Sequence, residues 1–456
     1  MREALFRAAQ QGAYFTDEET VGRWQDVELT DRVLAGSLVP ITAATAAPST
    51  EEPLVVWPYP RGTMHIIDRA NCADHFLRAR PEFQLITESG LDSPAELPAG
   101  PVLVFAPFDA ILPMLRAADD GYLTLAGRPI TALLNELSLA HLVRHGVLAT
   151  DTVTAAGYQP IVPPPRTHLI NGTQLTLFKG RQLRHVADLA GRLAPLGVAP
   201  MPYATSAGRA DAIEAVVALG ATGNAVVVRP FGASQGTGVT VIGHAEDAAA
   251  VEAGLDRLDR AVAGRYGGSG AYPVTITPFV EGRKIDGAVT DVRMFVVYDP
   301  AGGGLRALPG MVRRAAQAFR PDEITGETVL ANVSGAVSAD DLPGPRVFPA
   351  SRADILEKLG LSPEGLVDLG RAASILWATA VEAEAAERGT PVPFSYGSVD
   401  FLIRQDDGRA VPIEMNGANV GEHPTVAVHR LDLFAEATTA ALTGLGLSAL
   451  EPAWTR

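Results

Sequence analysis

The sequence has a single cysteine, Cys72, among its 456 residues. One cysteine cannot form an internal disulfide and cannot supply a cysteine-rich zinc site. The chain also lacks an uninterrupted apolar run of about 18 residues, so no membrane-spanning helix is predicted. The opening residues Met1-Arg2-Glu3 are not followed by the apolar segment of a signal peptide, so no signal peptide is predicted. We therefore expect a cytoplasmic protein without internal disulfides.

Basic residues are too few to favour a polyanion as partner. The 37 lysines and arginines face 52 aspartates and glutamates, which gives a formal charge of −15, and no basic run occurs. Proteins that grip a nucleic-acid backbone normally carry a basic face. Neither nucleic acid nor a membrane is an expected partner, and the length predicts two or three domains.

The first third of the chain has the pattern of an α/β unit. Two apolar runs, Leu54–Trp57 and Val102–Phe105, are each closed by a proline, and helical stretches such as that around Leu133-Leu134 lie between and after them. Strands that alternate with helices favour a parallel sheet. The proline run at 163–165 is predicted to end the unit.

The rest of the chain mixes helices with hairpins, an α+β pattern. Apolar residues keep one helical face from Gln182 onwards, and Gly197 stands where a helix would end. The predicted strands cover residues 225–229, 239–242, 274–280, 291–298, 399–403 and 411–414, and the predicted later helices cover about 364–388 and 431–442.

A pair of carboxylates marks the hairpin Gly397–Gly417. If its loop centres on Asp407, Asp400 lies opposite Glu414, with side chains about 5 Å apart, and Asn416 shares their face. Like charges opposite each other are destabilising unless a cation binds between them, and carboxylate and amide oxygens suit Mg²⁺. The alternative is that Asp400 or Glu414 points to solvent at a sheet edge.

A glycine-rich loop follows the strand that ends in Arg229-Pro230. Its backbone N–H groups could form a concave anion site, and a guanidinium such as that of Arg229 binds phosphate well. The segment matches neither the P-loop nor the dinucleotide fingerprint, and a turn without any ligand is the alternative. The candidate residues are Gly232, Ser234, Gly236 and Gly238.

A strand with charged residues lies between these two segments. Asp291 and Arg293 share a face with Phe295 and Val297, and a charged pair in an apolar strand is costly unless compensated. An Asp–Arg pair at the exposed strand end is the alternative. Further polar residues, Arg313, Arg314 and Asn332, follow without a periodic pattern and could separately be loop residues.

Taken in order, these segments resemble the ATP-grasp superfamily of carboxylate–amine ligases over residues 180–430. Thr277–Gly282 is similar to its adenine hinge, and Asp400 followed by Glu414-Met-Asn416 is similar to its magnesium signature. The segment from Asp291 to Gly335 resembles the branch with ribosomal-protein glutamate ligases and glutathione synthetases. A weaker similarity points to peptide ligases of bacterial natural-product pathways, the pheganomycin type among them.

The resemblance implies an ATP-grasp fold, α/β plus α+β, with a doubly wound pre-ATP-grasp domain at the N-terminus. We expect four regions along the chain: an N-terminal extension and linker at 1–52, an α/β domain at 53–175, a small subdomain with the glycine flap at 176–282, and a large C-terminal subdomain with the magnesium site at 283–456.

The resemblance also implies roles for residues. Asp400, Glu414 and Asn416 would hold Mg²⁺, and Arg293, Arg313, Arg314 and Asn332 would face the transferred phosphoryl group and the acyl intermediate. Phosphates would meet Arg229 and the flap of Gly232, Ser234, Gly236 and Gly238, together with either Lys179 or Arg184. The adenine edge would meet Pro278 and Val280, and the ribose either Glu281 or Asp286, since Lys284 stands near the usual acidic position.

The implied activity is an ATP- and Mg²⁺-dependent ligation through an acyl phosphate. The partners would be a small-molecule carboxylate and an amine or peptide acceptor, in antibiotic biosynthesis, and the protein could form a homodimer. A phosphotransferase on the same fold and a nucleotide-binding module without turnover are the two alternatives.

Overall fold

The structure is a computed structural model of the chain. It describes residues 26–41, 52–59, 72–91, 97–134, 142–143, 145–151, 161–162, 164, 166–171, 175, 178–221, 225–230, 238–266, 270–321, 324–331, 341–344, 346–388, 392–417 and 431–443.

Nineteen strands lie in these ranges and form four sheets. They are β1 Val39–Pro40, β2 Leu54–Tyr59, β3 Gln84–Ile86, β4 Val102–Pro107, β5 Leu115–Ala117, β6 Leu123–Leu125, β7 Arg128–Pro129, β8 Ala132–Leu134, β9 His168–Ile170, β10 Ala204–Ser206, β11 Val226–Pro230, β12 Thr240–Ile242, β13 Val274–Pro278, β14 Lys284–Ile285, β15 Ala288–Asp299, β16 Gly304–Arg314, β17 Val347–Pro349, β18 Tyr396–Ile403 and β19 Ala410–Asn416.

The helices with defined bounds in the same ranges are α1 Val27–Gly36, α2 Glu88–Leu91, α3 Phe108–Ile111, α4 Lys179–Asp188, α5 Ala190–Leu193, α6 Arg209–Gly220, α7 Ala248–Tyr266, α8 Gly326–Val329, α9 Ala353–Leu359, α10 Pro363–Arg388 and α11 Leu431–Thr443. Two 3₁₀ turns, Leu112–Met114 and Ala194–Leu196, follow α3 and α5. Gly197 then takes the left-handed conformation, with φ +70°, which confirms its predicted place at the end of this helical segment.

The first third contains a parallel five-stranded sheet in the order β3-β4-β2-β8-β9. Its central strands β2 and β4 are buried along almost their whole length, as expected for strands covered on both faces. The parallel pairing confirms the α/β prediction. Two details were wrong: Leu133-Leu134 belongs to strand β8 rather than a helix, and β9 extends the sheet beyond the proline run at 163–165.

A small antiparallel sheet follows in the order β10-β13-β11-β12. Valines and isoleucines of its strands pack against α6 and α7, with Val226, Val228 and Ile276 completely buried. β-Branched residues suit such a half-covered pleated surface. This sheet places Arg229 near the end of β11 and Pro278 at the end of β13.

The large sheet runs β1-β16-β15-β18-β19, with β14 and β17 attached to β15 and β16. One face packs on the long helix α10 and on α1, around buried residues such as Trp377, Met294 and Val399. β16 is eleven residues long and was missed from sequence, because Pro309 and Gly310 interrupt its apolar pattern. Arg313 and Arg314 therefore lie in a strand and not in a loop.

The segment from Val27 to Pro40 is part of the large-sheet region. Val33 of α1 is fully buried in the core beneath α10, and β1 pairs antiparallel with β16. The sequence was interpreted as an N-terminal extension and linker over 1–52. Within that range, residues 27–40 cover one end of the large sheet.

The opposite face of the large sheet meets the parallel sheet. Phe295 of β15 and Tyr396 of β18 share a buried cluster with Trp57 of β2, with the buried Cys72, and with Phe434 of α11. The apolar end of this face thereby holds the two sheets together. None of the helices in the part of the chain that the structure describes is both long and apolar enough to cross a membrane.

Candidate functional site

Charged side chains cross four neighbouring strands of the large sheet in register. Asp291 pairs with Arg313 of β16, and Arg293, two residues further along β15, pairs with Asp400 of β18. Asp400 in turn pairs with Glu414 of β19. Residues that pair across strands, or that stand two apart on one strand, share a face. We call this group, together with Asn416, the charged row.

The Asp400–Glu414 pairing predicted from the sequence is confirmed, although the register beside it is different. Nearer the turn, Phe401 pairs with Pro412, one residue away from the register predicted for a loop centred on Asp407. A bulge next to Asp400 adds one residue on β19 and restores the pairing. Bulges of this kind re-aim a side chain at the cost of local pairing.

Asp400 is completely buried and is the centre of the charged row. Arg293 donates to both of its carboxylate oxygens, from Nε to Oδ1 at 2.7 Å and from Nη2 to Oδ2 at 2.8 Å. Arg313 Nη2 donates to Oδ2 at 2.7 Å. Burial by itself would raise the pKa of Asp400, but the charges of both guanidinium groups outweigh it and hold the pKa well below its usual range.

Asp291 and Asp400 share the guanidinium of Arg313. Arg313 donates to Asp291 from Nε at 2.8 Å and from Nη2 at 2.6 Å, so its guanidinium bridges the two carboxylates. Burial raises the pKa of Asp291 to about 6; the charge of Arg313 opposes this shift and that of Asp400 adds to it. Both Asp291 and Arg293 are buried, so they do not form the exposed pair considered from sequence.

Glu414 continues the charged row towards the small sheet. Its carboxylate forms an ion pair with Lys179, the first residue of α4. Arg229 is close enough for the charge of Glu414 to oppose the lowering of the Arg229 pKa that burial causes. The Arg229 guanidinium also donates to Thr277 Oγ1 at 2.9 Å. Lys179 of α4 thus pairs directly with Glu414, and the charge of Glu414 also acts on Arg229 of the small sheet.

Gln182 fixes α4 against β19 and was missed from sequence. Its side-chain amide donates to the carbonyl of Met415 and accepts from the Met415 N–H, both at 2.9 Å, and the residue is buried. Met415 lies between Glu414 and Asn416, so this amide holds the backbone that carries both side chains. Only its polar character on a predicted buried helix face could have drawn attention to it.

Of the two alternatives considered for one phosphate contact, the structure brings Lys179 to the charged row. Arg184 lies further along α4 and is exposed. Arg314 is also placed elsewhere, because its neighbour Arg313 occupies the charged face and successive strand residues point to opposite faces. The Arg314 guanidinium donates to the carbonyls of residues 342–344 and to Asp286 Oδ2.

The predicted adenine hinge connects the small sheet to the large one. Pro278 ends β13, and Val280 packs on a small apolar cluster around Leu183 and Val411. Glu281 follows directly and pairs with Lys284. Asp286, the other ribose candidate, lies at the turn between β14 and β15, where it pairs with Arg314. Glu281 is therefore the acidic residue beside the hinge.

Most of the glycine flap, and Asn332, lie outside the described residues. Gly232, Ser234, Gly236 and Asn332 are not among them, so their predicted roles rest on the sequence alone. Gly238 is described and has φ +71°. A Cβ there would lie 2.9 Å from Val262 Cγ2, so both the conformation and the packing require glycine.

The donor set fits a hard divalent cation. Asn416 Nδ2 lies 3.4 Å from Asp400 Oδ2, and Glu414 pairs with Asp400 directly across the two strands, so the three side chains share one face. Oxygen donors of this kind are those that Mg²⁺ takes. Within the described ranges, no group of three or more His, Cys, Asp or Glu side chains is placed to hold a metal ion.

No protein-family model matches the chain, and no curated protein matches it significantly. Solved structures of low identity are similar to it. D-cycloserine synthetase DcsG is 16% identical, with a TM-score of 0.43 over 85% of this chain and 99% of that one. The D-alanyl-alanine synthetase A from Vibrio cholerae is 12% identical, with a TM-score of 0.42 over 88% and 100%.

A third solved structure is described as a RimK domain ATP-grasp protein from Sphaerobacter thermophilus. It is 14% identical, with a TM-score of 0.40 over 85% of this chain and 97% of that one. At these identities and TM-scores the likeness carries no argument about what this chain does. The functional interpretation therefore depends on the residues of the chain itself.

Proposed function

We propose that this protein is an ATP- and Mg²⁺-dependent ligase that joins a carboxylate to an amine and releases ADP and phosphate. The observation that carries the proposal is the ion pair of Lys179 with Glu414, at one end of a row that includes Asp400 and Asn416. Lys179 would bind phosphate there, beside the oxygens that would hold the metal. A nucleoside triphosphate with its bound metal needs cations that contact the phosphates and oxygens that hold the metal.

Asp400, Glu414 and Asn416 would hold Mg²⁺, which supplies charge neutralisation for phosphoryl transfer when bound. Lys179 and Arg229 would contact the phosphates, and the loop of Gly232, Ser234, Gly236 and Gly238 would cover them. Pro278 and Val280 would face the adenine edge, with Glu281 at the ribose. The chain connection between the small and large sheets would then line the nucleotide site.

The reaction follows from the weakness of a carboxylate as an acyl donor. Its oxygen attacks the γ-phosphorus of ATP, the bond to the β-phosphate oxygen breaks, and ADP leaves. The amine then attacks the acyl phosphate carbon, and phosphate departs with the bonding electrons while the amine loses a proton. Arg293 and Arg313 would offset negative charge beside the transferred group, and Asn332 would face the acyl intermediate.

The substrates would be an amino-acid-like carboxylate and the amine of an amino acid or peptide. Natural-product assembly, including the pheganomycin type of peptide ligation, is the narrower form of this proposal. It is supported by the sequence resemblance only. A homodimer would be compatible with this activity.

The first test is a search for acyl-phosphate formation. Purified protein is incubated with ATP, Mg²⁺, a panel of amino acids and short peptides, and hydroxylamine, which traps acyl phosphates as hydroxamates. We expect carboxylate-dependent ADP release and a hydroxamate, and an amide product when an amine replaces hydroxylamine. ADP release with an alcohol alone would instead identify a phosphotransferase.

A second test uses Glu414→Ala with Glu387→Ala as its control. Glu387 of α10 is exposed and pairs with Arg181 of α4, so its loss removes a similar surface charge away from the charged row. We expect Glu414→Ala to abolish Mg²⁺-dependent turnover and Glu387→Ala to retain it. Near-normal turnover of Glu414→Ala would refute the metal assignment.

A further inference from the structure

The ion pair between Lys179 and Glu414 conflicts with metal binding at the same carboxylate. The Lys179 side chain is only 14% exposed, whereas that of Glu414 is 36% exposed and open to an incoming ion. Lys179 begins α4, and Gln182, one turn further on, ties that helix to the backbone beside Glu414. The helix therefore keeps the ammonium within reach of this carboxylate.

A divalent cation at Glu414 would repel the ammonium that already occupies it. Lys179 would then need another anion, because a largely buried charge without a partner is costly. Asp400 is already shared by Arg293 and Arg313, and so it offers the ammonium little further compensation. Phosphate oxygens of a nucleotide are the anions that would arrive together with the metal.

We infer that Lys179 undergoes an ion exchange: its ammonium pairs with Glu414 in the nucleotide-free protein. It pairs with phosphate oxygens when metal and nucleotide bind together. This inference rests on the proposed function. The long flexible stem of lysine permits such a change of partner without movement of α4. The consequence is positive coupling between the binding of metal and the binding of nucleotide. Metal alone must displace Lys179 from Glu414 and leave the ammonium without an anion, whereas a nucleotide that binds with the metal provides phosphate oxygens for it.

The experiment measures two affinities in the full-length chain. Binding of Mn²⁺ alone is followed by electron paramagnetic resonance, and binding of ADP in the presence of Mn²⁺ by calorimetry. Wild type is compared with Lys179→Met, which keeps the aliphatic stem and removes the charge. Lys179→Gln is the second variant, and a thermal melt of each protein reports folding.

We expect opposite changes in the two affinities of Lys179→Met. Mn²⁺ alone should bind about tenfold more tightly, because its competitor is gone, and ADP with Mn²⁺ should bind at least about tenfold more weakly, because a phosphate contact is lost. A lysine with a merely structural role would weaken both. Adding Glu414→Gln to Lys179→Met should abolish the gain in Mn²⁺ affinity.

Arg181→Met is the matched control for net charge. Arg181 lies two residues further on in α4, and its ion pair is with Glu387. We expect neither affinity to change in this variant. The inference is overturned if Lys179→Met binds Mn²⁺ no more tightly than wild type, or if Arg181→Met gains as much.

Failure of the proposed function gives a different result. A wild-type protein that binds no ADP with Mn²⁺ would overturn the proposed function, and the ion exchange with it. A wild-type protein that binds ADP with Mn²⁺ normally, while Lys179→Met shows no gain for Mn²⁺ alone, would overturn the ion exchange and leave the proposed function intact.

Discussion

Arg293 donates a hydrogen bond to each carboxylate oxygen of Asp400, which lies directly opposite it across the β15–β18 pair. The two side chains are almost completely buried, and Arg313 completes the compensation of Asp400 from the next strand. Two parallel N–H···O bonds of this kind fix geometry as well as charge. The position of Asp400, and through it the shape of the proposed metal site, depends on this pair.

Loss of Arg293 should therefore destabilise the whole protein. We expect Arg293→Ala to lower the free energy of unfolding by about 3–5 kcal/mol, because a buried carboxylate loses most of its compensation. Arg352→Ala, which removes an exposed pair with Asp354, should cost less than about 1 kcal/mol. Urea unfolding of both variants measures this, and equal losses would contradict the central role of the Arg293–Asp400 pair.

The raised pKa of Asp291 predicts how the stability of the protein changes with pH. Its pKa is raised to about 6 in the folded protein, above the value of 3.8 for an unperturbed aspartate. The folded state thus binds more protons than the unfolded state between these values, so this group stabilises less as pH rises towards 6 and beyond. Asp400 has a lowered pKa, and its contribution is lost only at more acidic pH.

Asp291→Asn removes this titration while keeping the side-chain shape. Between pH 5 and pH 7 the wild type should lose about 1 kcal/mol of unfolding free energy relative to the variant. Urea unfolding at both values checks it. A difference between the two proteins that stays constant with pH would show that Asp291 does not titrate in this range.

Gln182→Leu tests the link between α4 and β19. The substitution leaves the buried N–H and carbonyl of Met415 without their partner, and we expect a loss of about 2–4 kcal/mol in unfolding free energy. Gln182→Glu keeps the acceptor for the N–H and should cost less at acidic pH than at neutral pH. Thermal and urea unfolding provide the comparison, and an equal cost at both pH values would disprove the hydrogen-bonding explanation.

Gly310→Ala tests the close approach of β16 to β15. A Cβ at this position would lie 2.1 Å from the carbonyl oxygen of Arg293, so the strands must separate. We expect a loss of at least about 1–3 kcal/mol and weaker binding of ADP with Mn²⁺, because Arg293 moves with its backbone. Gly191→Ala in α5 meets open space and should be neutral or stabilising.

Local patterns predicted much of this chain. Continuous apolar runs identified β2, β4, β11, β18 and β19, and the parallel pairing of the first sheet followed from strands that alternate with helices. Strand β16 was not predicted, because proline and glycine interrupt its pattern while tertiary pairing with β15 stabilises it. The short strand β8 was taken for a helix, since three residues carry too little periodicity to distinguish the two.

The sequence by itself determined the hairpin that brings Asp400 opposite Glu414, because a pairing between residues 14 apart depends on a turn and on strand alternation. Only the tertiary structure decided that Lys179 reaches Glu414 and that Gln182 binds Met415, pairs separated by 235 and 233 residues. It also decided that Arg313, rather than Arg314, joins Asp400. Such contacts depend on how separate sheets and helices pack, and burial of their apolar faces sets that packing across the whole chain.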